Sequence, residues 1–435
     1  MRLFDDKLSG TECLVLGVLA LAVLSPVSCW RQEQDGRTEL RVWCFARPQD
    51  LRLYEQAARA YERHHPDIRV TVSAFPGESY LQKLLPAMQA GAAGDVVLLH
   101  WSMICEVAAK GALMPLEDRV ASDAYDVEDF FPGSMMPYIY DGHLSALPLR
   151  GSTMVLFYNK DLFDVAGVDY PHDDWTREDF LSAAQRLTIR ENGRVVQIGC
   201  VPEEPTSWIH SAGGLYASDD LSSLRFTDPK TLDALQFYVD LRNRHRVTPA
   251  NMGAGGQDPT GVNVFDTGRV AMLISGPWEV GTFSQIRDLR WDVALFPKGP
   301  GGRQTRYAGI GFGIWSGTSH PEASWDLVKY LCSAESSRLT SQLPTDIPAR
   351  RSVAYSRDFL KPQYAWDMQV FLRAMEPEHT TLHVFPRSSL WSEVRRRFTR
   401  TLDEVLIEGK DLPAAMADLE EEVASYVQGR LGGRD

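Results

Sequence analysis

Trp278 and Glu279 stand where chemistry is easiest to picture. They follow Ser275-Gly276-Pro277 at the end of a short apolar run, Val270 to Ile274. Gly276 lets the backbone approach a neighbour closely, and Pro277 fixes the turn. A flat indole on a stiff loop suits stacking on another flat apolar face, and the carboxylate beside it supplies a polar group. The same residues also suit a tryptophan packed behind a tight turn, since Trp is usually well buried.

More residues of both kinds fall at the ends of expected strands, where open α/β sheets hold their ligands. Arg47 follows the first strand, and Tyr80 follows the second. His100, Trp101 and Ser102 follow the run DVVLL (95–99), and Arg150 and Ser152 follow a strand arriving at Pro148. Trp208 and Trp391 add rings, and Arg350 adds a guanidinium. For Trp101, Trp208 and Trp391, packing in a core is an equal alternative. Arg350 equally suits a surface ion pair. Glu203 and Glu204 precede Trp208, where a second lobe would meet a ligand.

Catalysis has little to stand on. A carbohydrate hydrolase needs two carboxylates, or a nucleophile and a base, across one cleft. Glu203, Glu204 and Glu279 are the only carboxylates suitably placed, and no motif pairs them. The chain has no Gly-x-Ser-x-Gly elbow, no His-Glu-x-x-His and no phosphate loop. Beyond Cys29 the cysteines are Cys44, Cys105, Cys200 and Cys332, with no Cys-x-x-Cys pair, so no metal or other cofactor is called for. All four lie in or beside apolar segments, which suits buried thiols and leaves disulfides open.

The elements that must position these residues follow from periodicity. Strand, helix, strand, helix, strand over 39–99 predicts parallel pairing in an α/β layer. DVVLL reads as a strand covered on both faces. Apolar strands are expected at 143–149, 153–158, 195–200, 270–274, 291–296 and 307–315. Helices are expected at 129–138, 176–190, capped by Asp174 or Thr176, and 228–245, with Pro229 in its first turn. The C-terminal part is helical, including 391–408 and 412–431. Tyr158-Asn159-Lys160-Asp161 reads as a strand-to-helix turn.

At 435 residues the chain favours two domains or more. Its net charge of −13 argues against nucleic acid or an anionic membrane surface as the main partner. The N-terminal 29 residues carry an apolar core, CLVLGVLALAVLSPV (13–27), with the length of a signal-peptide core rather than a spanning helix. Ser28-Cys29 behind it matches lipoprotein processing at Cys29, although Asp5, Asp6 and Pro26 depart from that pattern.

Taken in order, several stretches resemble a known family. They are RVWCF (41–45), YEQAARAYERHHPDIRVTV (54–72), YLQKLLPAMQAGAAGDVVLLHW (80–101) and AAKGALMPLED (108–118). LSALPLRGSTMVLFYNKDLF (144–163), VFDTGRVAMLISGPWEVGTF (264–283), GIGFGIW (309–315) and HPEASWDLVKYL (320–331) follow. The chain resembles the extracellular solute-binding proteins of bacterial ABC importers, in the sugar-binding family that includes maltose-binding protein. The resemblance implies a two-lobe periplasmic-binding fold of type II, with a carbohydrate held in the cleft between hinged lobes and passed to a membrane permease. It implies an exported, non-catalytic monomer tethered through Cys29. The leader would be 1–29, the tether 30–37, lobe one 38–148 plus 302–348, and lobe two 151–297 plus 355–431. Crossings would fall at 147–150, 297–302 and 345–356, with Pro148, Gly151, Gly299, Gly301 and Gly302 able to absorb hinge motion. The loop after DVVLL often carries an acidic residue in this family, whereas here it reads His100-Trp101-Ser102. With Arg47, Arg150 and Arg350, this makes a phosphorylated or acidic sugar, such as a glycerophosphodiester or uronide, an alternative ligand.

Overall fold

The computed structural model describes residues 36–46, 48–255, 264–340, 346–360 and 366–431. Cys29 and Arg47 lie outside them. The described chain forms two main sheets with separate apolar cores. In the first sheet, Thr38–Phe45 pairs in parallel with Ile68–Phe75 and with Val96–His100. This is the arrangement expected when helices Pro48–His64 and Gly77–Gln89 supply the crossovers. Gln304–Ile314 adds antiparallel to Val96–His100, Leu147–Thr153 follows it, and Ile347–Pro348 forms the edge. Val96 to Leu99 is wholly buried, in keeping with a strand covered on both faces.

The second sheet runs Trp291–Leu295, Val155–Asn159, Val270–Ser275, Arg194–Val201, Ile189–Glu191. Local signals fix its helices. Asn159 accepts from the Asp161 and Leu162 amides and so caps Lys160–Ala166. Thr176 closes a capping box with Asp179 at the head of Arg177–Arg186. Asp228 caps Pro229–Asn243, with Pro229 at its first position.

Several expected boundaries move. The strand arriving at Pro148 continues to Thr153, because every residue from Leu147 to Thr153 is buried between Gln304–Ile314 and Ile347–Pro348. The chain therefore leaves the first sheet at Met154 rather than within 147–150, and Pro148 and Gly151 sit inside a strand. The helix expected over 129–138 is reduced to a short 3-10 turn, Met136–Tyr138. Thr381–His383, expected in lobe two, pairs with Gln304–Arg306 on the first sheet. The return crossing is held tightly. A Cβ on Gly299 would stand 2.3 Å from the Ser211 carbonyl oxygen, and one on Gly301 would stand 2.6 Å from the Gly213 nitrogen. These two glycines are explained by close backbone packing.

The four described cysteines are free thiols, with Cys44, Cys200 and Cys332 buried. No described helix is long and apolar enough to cross a membrane.

Candidate functional site

A cavity of about 790 Å³ opens between the two lobes. Leu81, Ser102 and Met103 line it from the first lobe. Across from them stand Phe385, Trp391, Arg395 and the face of the helix Trp391–Asp403, which continues into a π-helical turn at Glu404–Glu408. π-turns are rare and often mark functional sites. The volume falls in the range of small-molecule sites, about 300–1,000 Å³.

Phe385 and Trp391 make one end of this cavity, with Trp101 and Tyr216 packed against them. The Trp101 and Phe385 centroids are 4.8 Å apart, Phe385 and Trp391 5.4 Å, and Tyr216 and Trp391 5.4 Å. The indole N–H groups of Trp101 and Trp391 are buried without an acceptor. Buried donors are nearly always paired, so two bare ones on rings that both pack on Phe385 call for a reason.

Behind the rings lies a charged network that joins the lobes. Arg306, at the start of the strand Gln304–Ile314, donates from Nε to Glu203 at 2.8 Å, and Nη2 reaches the same oxygen. Its Nε also lies 3.0 Å from Glu204. Arg395 closes the set, 2.6 Å from Glu204, and covers the Phe385 ring at 4.9 Å. Burial pushes the Glu203 carboxyl up to about 7, against the pull of Arg306. Burial acts on Glu204 too, but Arg306 and Arg395 together outweigh it and hold that carboxyl low. Glu203 also sits at φ 61°, a left-handed conformation uncommon for a residue with a side chain.

His100 borders this network. Its Nδ1 lies 2.8 Å from the Ser102 hydroxyl and accepts from the Ser102 amide at 3.4 Å, which anchors the loop. Burial, then Arg306 and Arg395, push its pKa down to about 3, so the ring is neutral.

The structure thus gathers His100, Trp101, Ser102 and Trp391 at one place, and it sends the other candidates elsewhere. Trp208 is buried in lobe two among Phe180, Phe237 and Phe296, and its N–H donates to the Pro202 carbonyl at 2.9 Å. Tyr80 is buried and donates to the Trp43 carbonyl. Arg150 and Ser152 lie inside the extended strand rather than beyond its end. Arg150 is buried against Tyr54, Asp50 and Asp346, and Ser152 donates to the Ala308 carbonyl. Trp278 is half-buried and turns its N–H onto Glu279, 3.1 Å away, which also accepts from Ser275. Its ring covers Gly276, where a Cβ would come within 2.1 Å of it, and it lines none of the cavities described here.

Arg350 is a framework residue. Its guanidinium lies 5.1 Å from the Tyr125 ring centroid and 4.5 Å from that of Phe130, donates to the Cys332 carbonyl at 2.7 Å and pairs with Asp129 at 3.2 Å. Arg350→Ala is expected to destabilise the fold by about 3–5 kcal/mol, the range for breaking a buried pair. Ligand affinity should stay unchanged. Urea denaturation beside calorimetric titration checks both.

Sequence reasoning passed over Phe385, Arg306 and Arg395. Arg395 stands four residues after Trp391, on the same helix face, so helical spacing alone could have found it. Phe385 and Arg306 carry no local signal.

A family model for bacterial extracellular solute-binding proteins matches residues 47–337. The chain belongs to that family. An arabinooligosaccharide-binding protein of Halalkalibacterium halodurans is 25% identical over 308 residues, 68% of this chain and 67% of that protein. A maltotriose-binding protein of Pyrococcus abyssi is 22% identical over 413 residues, 92% of this chain and 84% of that protein. Among solved structures, an ABC substrate-binding protein from Listeria monocytogenes in complex with cycloalternan superposes with a TM-score of 0.78 at 23% identity, covering 91% of this chain and 99% of that one. The sugar-binding protein MalE from Xanthomonas citri gives a TM-score of 0.77 at 23% identity, covering 92% and 100%. These likenesses place the fold among two-lobe solute-binding proteins.

Proposed function

We propose that this protein is the solute-capturing component of an ABC importer and takes a neutral oligosaccharide into the cleft between its lobes. One observation carries the reading: Trp391 and Phe385 face a cavity of about 790 Å³, opposite Ser102 and beside Arg395. The rings offer faces for sugar C–H groups, while the serine and arginine offer partners for hydroxyls. Opening of the cleft would present the two unpaired indole N–H groups to incoming hydroxyl oxygens. The oligosaccharide-binding relatives support the same class of ligand.

The charge pattern favours a neutral sugar over a phosphorylated or acidic one. Arg395, Arg396 and Arg400 line the cavity, and each is already paired, with Glu204, Glu393 and Glu422 respectively. The hydrolase alternative is weaker still. Glu203 and Glu204 share the Arg306 guanidinium, and Glu279 holds Trp278 and Ser275. Membership of a solute-binding family supports capture without turnover. Export, processing at Cys29 and a monomeric receptor complete the proposal.

Calorimetric titration with arabino-, malto- and galacto-oligosaccharides, alongside glucose 6-phosphate, tests it. Saturable binding of a neutral oligosaccharide without product formation supports the reading. Preferential binding of the phosphorylated sugar, or cleavage of any oligosaccharide, sinks it.

The Glu203 carboxyl gives a pH test of the charged network. Its folded pKa, about 7, lies above its ordinary 4.5. The folded state therefore retains a proton that the unfolded chain releases, and this group's contribution to stability is lost as pH rises from about 4.5 through 7. The neutral His100 acts with the opposite sign below its ordinary 6.5. Glu203→Gln isolates the carboxyl, since the histidines are common to both proteins. The melting temperature of E203Q relative to wild type should rise between pH 5 and pH 7.5. A difference that stays flat across that range would exclude the proton on Glu203.

A further inference from the structure

Beyond the segment 384–388 lies a second chamber, of about 290 Å³. His210, Tyr216 and Ser218 line it from lobe two, His383 lines it from the strand beside the first sheet, and Asp219 and Arg387 stand in its wall. It shares no lining residue with the large cleft. A narrow hollow of about 20 Å³ shares Val384, Pro386 and Arg387 with the chamber and Trp391 with the cleft.

His210 is the unexplained group. It is 3% exposed, and neither ring nitrogen has a hydrogen-bond partner. The Gly214 backbone lies near enough to favour a proton on one nitrogen, though short of a proper hydrogen bond. The other nitrogen is then left as an acceptor. The His383 ring stacks on His210 at 4.2 Å with only 8° between planes. His383 itself is turned to Gln304 at 2.6 Å.

Four kinds of occupant can be weighed. A metal ion is disfavoured, because stacked parallel imidazoles do not converge their lone pairs, and no group of three metal-ligating side chains occurs among the described residues. An anion is disfavoured, because Arg387 is already held by Asp219 at 2.6 and 2.9 Å. Burial, and for His210 the neighbouring imidazole as well, keeps both histidines neutral. A lone water is far too small, since one needs only about 10–15 Å³. A neutral molecule that donates a hydroxyl satisfies what remains, the bare acceptor on His210; the Tyr216 and Ser218 hydroxyls are already taken up by Thr206 and Asp220.

We infer that this chamber is a second binding site, separate from the cleft, for a small neutral molecule the size of one sugar ring or a short polyol, anchored by a hydroxyl that donates to His210.

Titration and crystal soaking with D-glucose, L-arabinose and glycerol test this. The wild type should take a probe in the chamber, with density against His210. His210→Phe, which removes the acceptor and keeps an aromatic ring, should weaken that event at least tenfold and leave oligosaccharide binding in the cleft unchanged. Ser218→Leu narrows the chamber from another wall and should act alike, which covers a failure of the first variant to fold. Leu81→Trp, which crowds the large cleft from the first lobe and touches no wall of the chamber, should retain the chamber event even where cleft binding is lost, so the two sites fail separately. Density showing water or an adventitious additive only, or equal probe binding by wild type, H210F and S218L, would overturn the proposal.

Discussion

Trp391→Ala is expected to weaken oligosaccharide binding by about 30-fold or more, the scale on which buried tryptophan anchors act. Trp391 opens the helix Trp391–Asp403 and lines both the large cavity and the narrow hollow behind it. Removing the indole takes away the ring that faces the ligand and an N–H that has no other acceptor. It also unseats Phe385 and Tyr216, which pack against it. Stability should therefore fall by about 3–5 kcal/mol, the usual cost of emptying a buried tryptophan site. Trp391→Phe separates the two effects. It keeps the stacking face and much of the packing, so most of the stability should return while affinity recovers only in part. Calorimetric titration and thermal melting of both variants measure the split. Wild-type affinity in the alanine variant would remove Trp391 from the binding wall.

Arg306→Met should damage the fold heavily while leaving the cleft rings in place. It removes the cation shared by the buried Glu203 and the partly buried Glu204, and leaves only Arg395 to face them. Breaking a buried pair by deleting one partner costs about 3–5 kcal/mol, because the other charge stays behind unpaired. Adding Glu203→Gln to Arg306→Met should recover part of the loss at alkaline pH, where the buried Glu203 carboxyl otherwise has to take up a proton or stand charged without its partner. Such non-additivity is what directly contacting residues show. Denaturant midpoints of wild type, both single variants and the double variant give the coupling. Strict additivity would mean that Arg306 and Glu203 do not support one another. Because Arg306 comes from the first lobe and Glu203 from the second, the pair also ties the lobes together. Weaker ligand binding in R306M is the expected companion result.

Sequence alone determined the local pieces. Alternation, capping residues and turn chemistry act over a few residues, so they can be read without the fold. Thr176, Asn159 and Asp228 cap the helices they precede, and the DVVLL run becomes a strand buried on both faces. The loop His100-Trp101-Ser102 and Trp391 were legible as candidates because aromatic and polar residues sit together at element ends.

Tertiary structure decided which candidates share a place. Arg150, Arg350, Tyr80 and Trp208 have the right chemistry, yet each is spent inside the framework, since a cation or a ring is equally useful for packing and pairing. Arg150 was misplaced because strand pairing extends to Thr153, and pairing depends on partners more than a hundred residues away in sequence. Phe385 and Arg306 join the site from segments whose composition marks nothing, brought there only when the strand Thr381–His383 seats on Gln304–Arg306. A ligand site between two lobes is a property of distant contacts, and those are written in the packing of sheets and not in any local stretch of residues.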